Sequence, residues 1–471
     1  MGNPALVDPA TIRETAAEAW IWGCALLENY RTMYAQAVDD ADPRFVGGFG
    51  VFRHYRNPFA PADVDLVATS SDTPYSCAWL DLRAEPWVLE VPAMDRYYVL
   101  AVHDLDTSYV GFVGSRTTGQ AAGRYLITGP HSADAGRPGP GAGRQGSDES
   151  GQGPGGDRPG SGASRGFDGV LRADTELVGI LGRTYLAGPQ DAPELQKLQS
   201  QYLLTPLSGY LGTPPPPARP EPHWPVWRNA EVLETLEFFV LLDFLLGFFP
   251  VLPTEAGLRN RLAELDVGAG DFEPAALPLD VREAMLQGIA DGRARLAAET
   301  AKGPDSTAWF GTRAQLGSDY LARAVGARQG GYGLPVEEVW CTDWLADDQG
   351  NSPLDAAEHR YTLDFPAGQL PPARFFWSVA VYRLPGRLLV PNPAGRHTIG
   401  SHTPGLVHGK DGSLTLFLRR ERPTDPAEAA NWLPAPGGPF TVVLRVYGPE
   451  PPVLDGRWQL PQLNVQEPQV D

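Results

Sequence analysis

Only three of the 471 residues are cysteines, Cys24, Cys77 and Cys341, and none sits in a CxxC pair. They allow one disulfide and a free thiol, which excludes a disulfide framework. Long apolar runs are missing too. The most apolar stretch, Phe238 to Leu252, is interrupted by Asp243 and Pro250 and is too short to span a bilayer. Residues 1–8 show no basic region followed by an apolar one, and Gly2 lacks the Ser or Thr that a myristoylation signal places after it. A cytoplasmic location is therefore the expectation. Positive charge is in deficit: the net charge is −19 and the pI about 4.9. That opposes a nucleic-acid partner and adsorption to an anionic membrane; the acidity itself reads as solubility. Gly-x-Ser-x-Gly, Walker and dinucleotide signatures are absent. Neither Gly111 with Gly114 nor Gly330, Gly331 and Gly333 fits G-x-G-x-x-G, and no βαβ unit surrounds them. No cofactor is expected, and no metal.

What is present is an ordinary globular balance, 42% hydrophobic and 20% charged, over a length that calls for two or three domains. Asp8 and Pro9 can cap and start a helix, and a stripe at Ala16, Trp20, Gly23, Leu27, Tyr30 and Tyr34 carries it on. Residues 39–68 read as irregular. Short β-branched and aromatic segments follow at Ala78–Leu82, Trp87–Val91, Tyr97–His103, Tyr109–Val113 and Arg124–Ile127, with more near Gly169 and Val178–Tyr185. Between them, residues 131–167 are Gly, Pro, Ser, Asp and Arg with almost nothing apolar, a composition that predicts a disordered insertion in a surface loop. Helices are predicted at 192–202, 229–249, 256–265, 279–302 and 315–328. After Gly330-Gly331 the period returns to two, with strands at 338–344, 361–365, 375–382, 388–391, 414–419 and 441–447 and an irregular tail from Gln459. Residues 376–382 are apolar on both faces in places, as in a strand packed between layers.

The fold class that follows is α+β: two β-sandwich or jelly-roll-like domains joined by a helical segment. The boundaries read as 1–47 for an N-terminal helix and connector, 48–190 for the first sandwich with its insert, 191–330 for the helical middle and 331–471 for the second sandwich.

Several motifs carry a family resemblance. They are Asp72-Thr73-Pro74-Tyr75-Ser76, Ala78-Trp79-Leu80-Asp81-Leu82, Arg116-Thr117-Thr118-Gly119 and Gly182-Arg183-Thr184-Tyr185 in the first half. In the second half they are Phe376-Trp377-Ser378, Leu389-Val390-Pro391-Asn392-Pro393, Asp411-Gly412-Ser413 and Asn431-Trp432-Leu433-Pro434. The chain resembles a bacterial family of paired domains of unknown function, 1254 in the N-terminal half and 1214 in the C-terminal half. The resemblance implies two sandwiches and brings no agreed reaction with it. Ser70 stands where the family often has Asn, and Gly395-Arg396-His397 replaces an Asn-Arg-Tyr triplet.

The candidate site residues are loop and strand-end polar groups. Asp72 and Tyr75 flank a turn entering a strand. There Asp72 can act as base or metal ligand and Tyr75 as a donor to developing negative charge, or Asp72 can simply close an Asx turn. His103 precedes Asp104 and Asp106, either as an acid/base or as a hydrogen-bonded strand end. Arg116 and Arg124 suit a ligand carboxylate or a structural ion pair, and Arg396 is a similar case. Trp377 and Asn392 are candidates for an aromatic cleft that stacks on sugar rings, or for core. Together these predict an enzyme doing hydrolase-type acid/base chemistry on a small polar or carbohydrate-like substrate between the β domains. The alternative is a non-catalytic binder of a glycan or acidic ligand.

Overall fold

The computed structural model describes residues 7–57, 59–61, 70–131, 166–302 and 308–466. The insertion expected at 131–167 lies, from residue 132 to 165, outside the described residues.

Nine strands form the first sandwich: β1 (Arg53–His54), β2 (Tyr75–Asp81), β3 (Trp87–Val91), β4 (Tyr98–Asp104), β5 (Tyr109–Gly114), β6 (Gly123–Thr128), β7 (Gly169–Arg172), β8 (Leu177–Thr184) and β9 (Leu203–Pro206). One sheet runs β1-β2-β8-β4-β5 and the other β7-β6-β3-β9. Alternating residues of the two sheets, among them Leu80, Leu100, Leu89 and Ile127, share one core, as strand periodicity requires. Strand β9 pairs with β3, so residues beyond 190 complete this sandwich.

The second sandwich holds β10 (Val339–Trp344), β11 (Leu354–Asp355), β12 (Arg360–Phe365), β13 (Ala373–Arg383), β14 (Leu388–Leu389), β15 (Thr398–Gly400), β16 (Leu414–Arg419), β17 (Trp432–Pro434), β18 (Pro439–Pro449) and β19 (Leu463–Gln466). One sheet is β10-β18-β13-β14 with β11 and β15 attached, and the other is β17-β16-β12-β19. The tail expected to be irregular from Gln459 instead contributes β19, antiparallel to β12. Leu463 inserts into the core there and Val465 packs against it, but two alternating apolar residues just after Pro461 are too short a pattern to read as a strand.

Both faces of β13 and β18 are buried. Their inner side chains (Val379, Val381, Val442, Leu444) fill the second sandwich. Their outer side chains (Ala380, Tyr382, Val443) pack on Tyr75, Cys77 and Leu181 of the first. The two sandwiches therefore meet face to face, which explains why these strands lack a polar face.

The helix Pro9–Met33 is capped by Asp8, whose carboxylate accepts the Ala10 and Thr11 amides. It is not confined to an N-terminal unit but packs on Leu279–Thr300, Tyr320–Gln329 and Glu237–Leu246. Gly288 allows the close approach: a Cβ there would sit 2.5 Å from the Arg13 carbonyl oxygen. The helix predicted over 229–249 is a 3-10 turn at Ala230–Glu234 followed by Glu237–Leu246. That predicted over 315–328 divides into Arg313–Leu316 and Tyr320–Gln329, separated by Gly317 at positive φ, which an α-helix cannot contain.

Candidate functional site

The helical body closes one side of the contact between the sandwiches. After Tyr320–Gln329 the chain passes as a glycine-rich strap, residues 330–334, over the outer face of the first sandwich. The strap is pinned on both sides. The Tyr332 hydroxyl donates to Asn29 Oδ1 at 2.6 Å, and the Tyr109 hydroxyl donates to the Gly333 carbonyl at 2.6 Å. Asn29, on the long helix, also donates to the carbonyls of Asp104 and Leu105. Helix, strap and sheet are thus fixed to one another by hydrogen bonds that buried polar groups must make.

Between strap and sandwiches lies a cavity of about 480 Å³, within the usual size range for small-molecule sites. Its polar lining comes from facing strands: Tyr75 on β2, Arg183 on β8, Arg445 and Tyr447 on β18. Trp309, Phe310, Leu334 and Val339 supply apolar wall. Tyr75 and Arg183 are register partners across β2 and β8, so the pairing of two strands brings together residues over a hundred positions apart. Arg183 Nη1 donates to the Tyr75 hydroxyl at 3.0 Å, and its guanidinium lies 4.5 Å from that ring's centroid. Nη2 donates to the Tyr332 carbonyl at 3.0 Å. Arg445 Nη1 donates to the Tyr382 hydroxyl at 2.8 Å. Burial disfavours the charge on Arg183 and the like charge of Arg445 opposes it, but Tyr75, Tyr447 and Tyr109 outweigh both, and its pKa lies above the usual guanidinium value. Burial raises the pKa of Tyr447 and Tyr109, so at neutral pH their hydroxyls are dipoles rather than charges.

A smaller cavity, about 150 Å³, shares Tyr75, Arg183, Gln329 and Gly330 with the first and reaches His103. His103 Nδ1 is 3.1 Å from the Asp104 carbonyl oxygen. A carbonyl only accepts, so the proton is on Nδ1. The ring stacks on Tyr332 and meets Trp79 edge-on. Burial lowers its pKa to about 4, leaving a neutral imidazole at pH 7.

Asp72 lies elsewhere, in a third cavity of about 350 Å³ with Tyr185, Trp377, Arg396 and His402. Its Oδ1 accepts from the Thr398 hydroxyl at 2.8 Å, and Oδ2 has no hydrogen bond among the described residues. Burial raises the carboxyl pKa against the opposing Ser378 and Thr398 hydroxyls. Arg396 donates to the carbonyls of Ala430 and Trp432. Asn392 ties its own loop by bonds to Val390 and Arg396. Trp377 packs in the second sandwich's core against Phe365. Arg116 pairs with buried Glu338, and Arg124 lies on the surface beside Glu90 at 3.5 Å. The expected residues therefore divide: Tyr75 and His103 at the two cavities that share a wall, Asp72, Trp377 and Arg396 at the third, Arg116 in an inter-domain ion pair, Arg124 outside all of them. Sequence reasoning passed over Arg183, Arg445 and Tyr447 as site residues. The signal for the arginines was a lone cation inside an otherwise apolar strand, Gly182-Arg183-Thr184 and Val442 to Tyr447.

A second buried charge cluster sits where β4 meets the helical body. Asp106 Oδ2 accepts from Arg313 at 2.7 Å and from Arg323 at 2.5 Å. Asp104 Oδ1 accepts from the Asp174 and Thr175 amides and the Thr175 hydroxyl. Burial, then the charge of Asp106, raises Asp104 to about 7, while Arg323 and Arg313 overcome burial to hold Asp106 below the usual range. No group of three metal-ligating side chains occurs among the described residues. None of the described helices is long and apolar enough to cross a membrane.

Fold and cavities define an α+β protein of two face-packed β-sandwiches with a helical body closing a ligand-sized space. Residues 49–206 match the family model described as protein of unknown function DUF1254, and residues 341–451 match that of protein of unknown function DUF1214. The chain thus carries the paired arrangement that its motifs imply. No curated protein matches. Among solved structures, the VPA0106 protein from Vibrio parahaemolyticus is similar over 97% of this chain and 100% of its own, at 25% identity and a TM-score of 0.71. An uncharacterized protein from Burkholderia cenocepacia aligns over 94% and 86% at 14% identity, with a TM-score of 0.42.

Proposed function

We propose that this protein binds a small organic molecule in the cavity floored by Tyr75, Arg183, Arg445 and Tyr447. The observation that carries this is the floor itself, two guanidiniums and two tyrosines gathered from both sandwiches around a space of about 480 Å³. A purely structural contact between sandwiches is served better by apolar side chains than by buried arginines. Of the two readings the sequence allows, binding is favoured over hydrolase-type catalysis. Asp343, the carboxylate lining this cavity among the described residues, is held by Arg387 at 2.7 Å. Burial keeps the Cys341 thiol protonated by raising its pKa. Asp72, Tyr75 and His103 do not converge on one reacting atom, since Asp72 lines a different cavity. The ligand is a small polar-ended molecule, with neither nucleic acid nor membrane as partner.

A thermal-shift screen of small carboxylates, sugars and neutral alcohols, run on wild type and on Val339→Trp, tests the reading. Val339 lines the cavity and is half-buried, and it shares the outer face of its strand with Cys341 and Asp343, so the indole fills the space. A ligand that raises the melting temperature of wild type and not of the variant supports the site. Equal shifts in both overturn it.

A further inference from the structure

The chemistry of the cavity narrows its ligand, and the argument rests on the reading just given. Arg183 carries five N–H donors. Two hydrogen bonds, to the Tyr75 hydroxyl and the Tyr332 carbonyl, are made, and Nε is buried with no hydrogen-bond partner among the described residues. No carboxylate pairs with it among the described residues. Its strongest neighbours are tyrosine hydroxyls and the like charge of Arg445. A half-buried guanidinium whose Nε is out of water, beside a second guanidinium, gains from an anion that offsets its desolvation. The buried Arg323 has such a partner in Asp106. Opposite this floor the wall is apolar and aromatic, with Trp309 and Phe310 in the lead. Phe310 is wedged against the strap so closely that a Cβ on Gly330 would lie 2.7 Å from its ring, so the wall is preformed.

We propose that the ligand is an amphipathic organic anion, its headgroup on Arg183 and its hydrocarbon or aryl body against Trp309 and Phe310. A carboxylate, a sulfate ester and a phosphate ester all present oxygens that a guanidinium can fork, and the experiment separates them.

Calorimetric titration of wild type with octanoate, octyl sulfate, octyl phosphate, 1-octanol and acetate reads headgroup and tail independently. At least one octyl anion is expected to bind 100-fold or more tightly than 1-octanol, and the tightest of them identifies the headgroup. Acetate is expected to bind more weakly than octanoate, and shortening octanoate to hexanoate to weaken binding by about fourfold per methylene. Arg183→Met is expected to erase the preference for the anion while 1-octanol binding persists. Should that variant not fold, the headgroup series on wild type alone still decides. If 1-octanol binds as tightly as the anions and Val339→Trp abolishes it, the cavity is the site and the anion inference is wrong. If no probe binds, the anion inference fails. If a probe binds but Val339→Trp leaves it unaffected, the cavity reading falls.

Discussion

Arg116 and Glu338 join the two halves of the chain: Arg116 Nε donates to Glu338 Oε2 at 2.5 Å, across 222 residues of sequence. Glu338 is buried, and its Oε1 accepts the Tyr97 hydroxyl at 2.9 Å. Burial raises its pKa in spite of both partners. The pair ties the turn after β5 to the residue that precedes β10.

Removing the cation alone leaves a buried carboxylate with the Tyr97 hydroxyl and the more distant charge of Arg374. Arg116→Ala is expected to cost about 3 kcal/mol in urea unfolding. Adding Glu338→Gln to it is expected to restore a large part, because the orphaned charge is gone. Additive losses would show that the pair is not the cause.

Gly179 holds its place for a packing reason. A Cβ there would fall inside the van der Waals radius of the His103 ring atoms Cε1 and Nε2. Gly179→Ala is expected to cost about 1–3 kcal/mol, and to cost far less in a His103→Ala background. Equal costs in both backgrounds, read from denaturant midpoints, would contradict this.

The acidic cluster makes stability depend on pH. Asp104 titrates near 7 in the folded chain against about 3.9 when unfolded. The folded state holds this proton more tightly, so its contribution is complete below pH 4 and is lost as pH rises towards 7. His103 acts in the opposite sense. Its lowered pKa of about 4 removes stability as pH falls below about 6.5. Asp104→Asn keeps an acceptor for the three bonds at Oδ1 and does not titrate. The stability of wild type minus that of Asp104→Asn is therefore expected to fall between pH 4 and pH 7, with the His103 effect cancelling. A flat or rising difference would refute the assignment.

Much of the architecture was legible in the sequence, for reasons that hold residue by residue. Period-two apolar segments such as Trp87–Val91 and Leu414–Arg419 coincide with strands, and Asp8-Pro9 opens the first helix as its capping chemistry requires. The short edge strands Arg53–His54, Leu203–Pro206 and Leu463–Gln466 were not legible, because tertiary partners rather than local pattern make them strands. The same limit governs the site. Tyr75 was singled out from a turn motif, but its partner Arg183 is defined by strand register and by a strap that begins near residue 330. Arg116, read as either a ligand clamp or a structural pair, became the latter only once Glu338 was folded against it.

Arg183 presents a trade between stability and binding. With no carboxylate partner among the described residues, the desolvated Arg183 guanidinium is expected to cost stability in the ligand-free protein. Arg183→Met is expected to be at least as stable as wild type, with a gain of up to about 2 kcal/mol, and to lose ligand-induced stabilisation. A loss of several kcal/mol in the ligand-free variant would mean that its bonds to Tyr75 and Tyr332 are structural pins.

The most direct measurement is a crystal structure of the protein soaked with whichever probe raises its melting temperature most. The account predicts electron density in the cavity between the sandwiches, with ligand oxygens about 3 Å from Arg183 and carbon atoms against Phe310. Density confined to the Asp72 cavity, or to the outer surface, would contradict it.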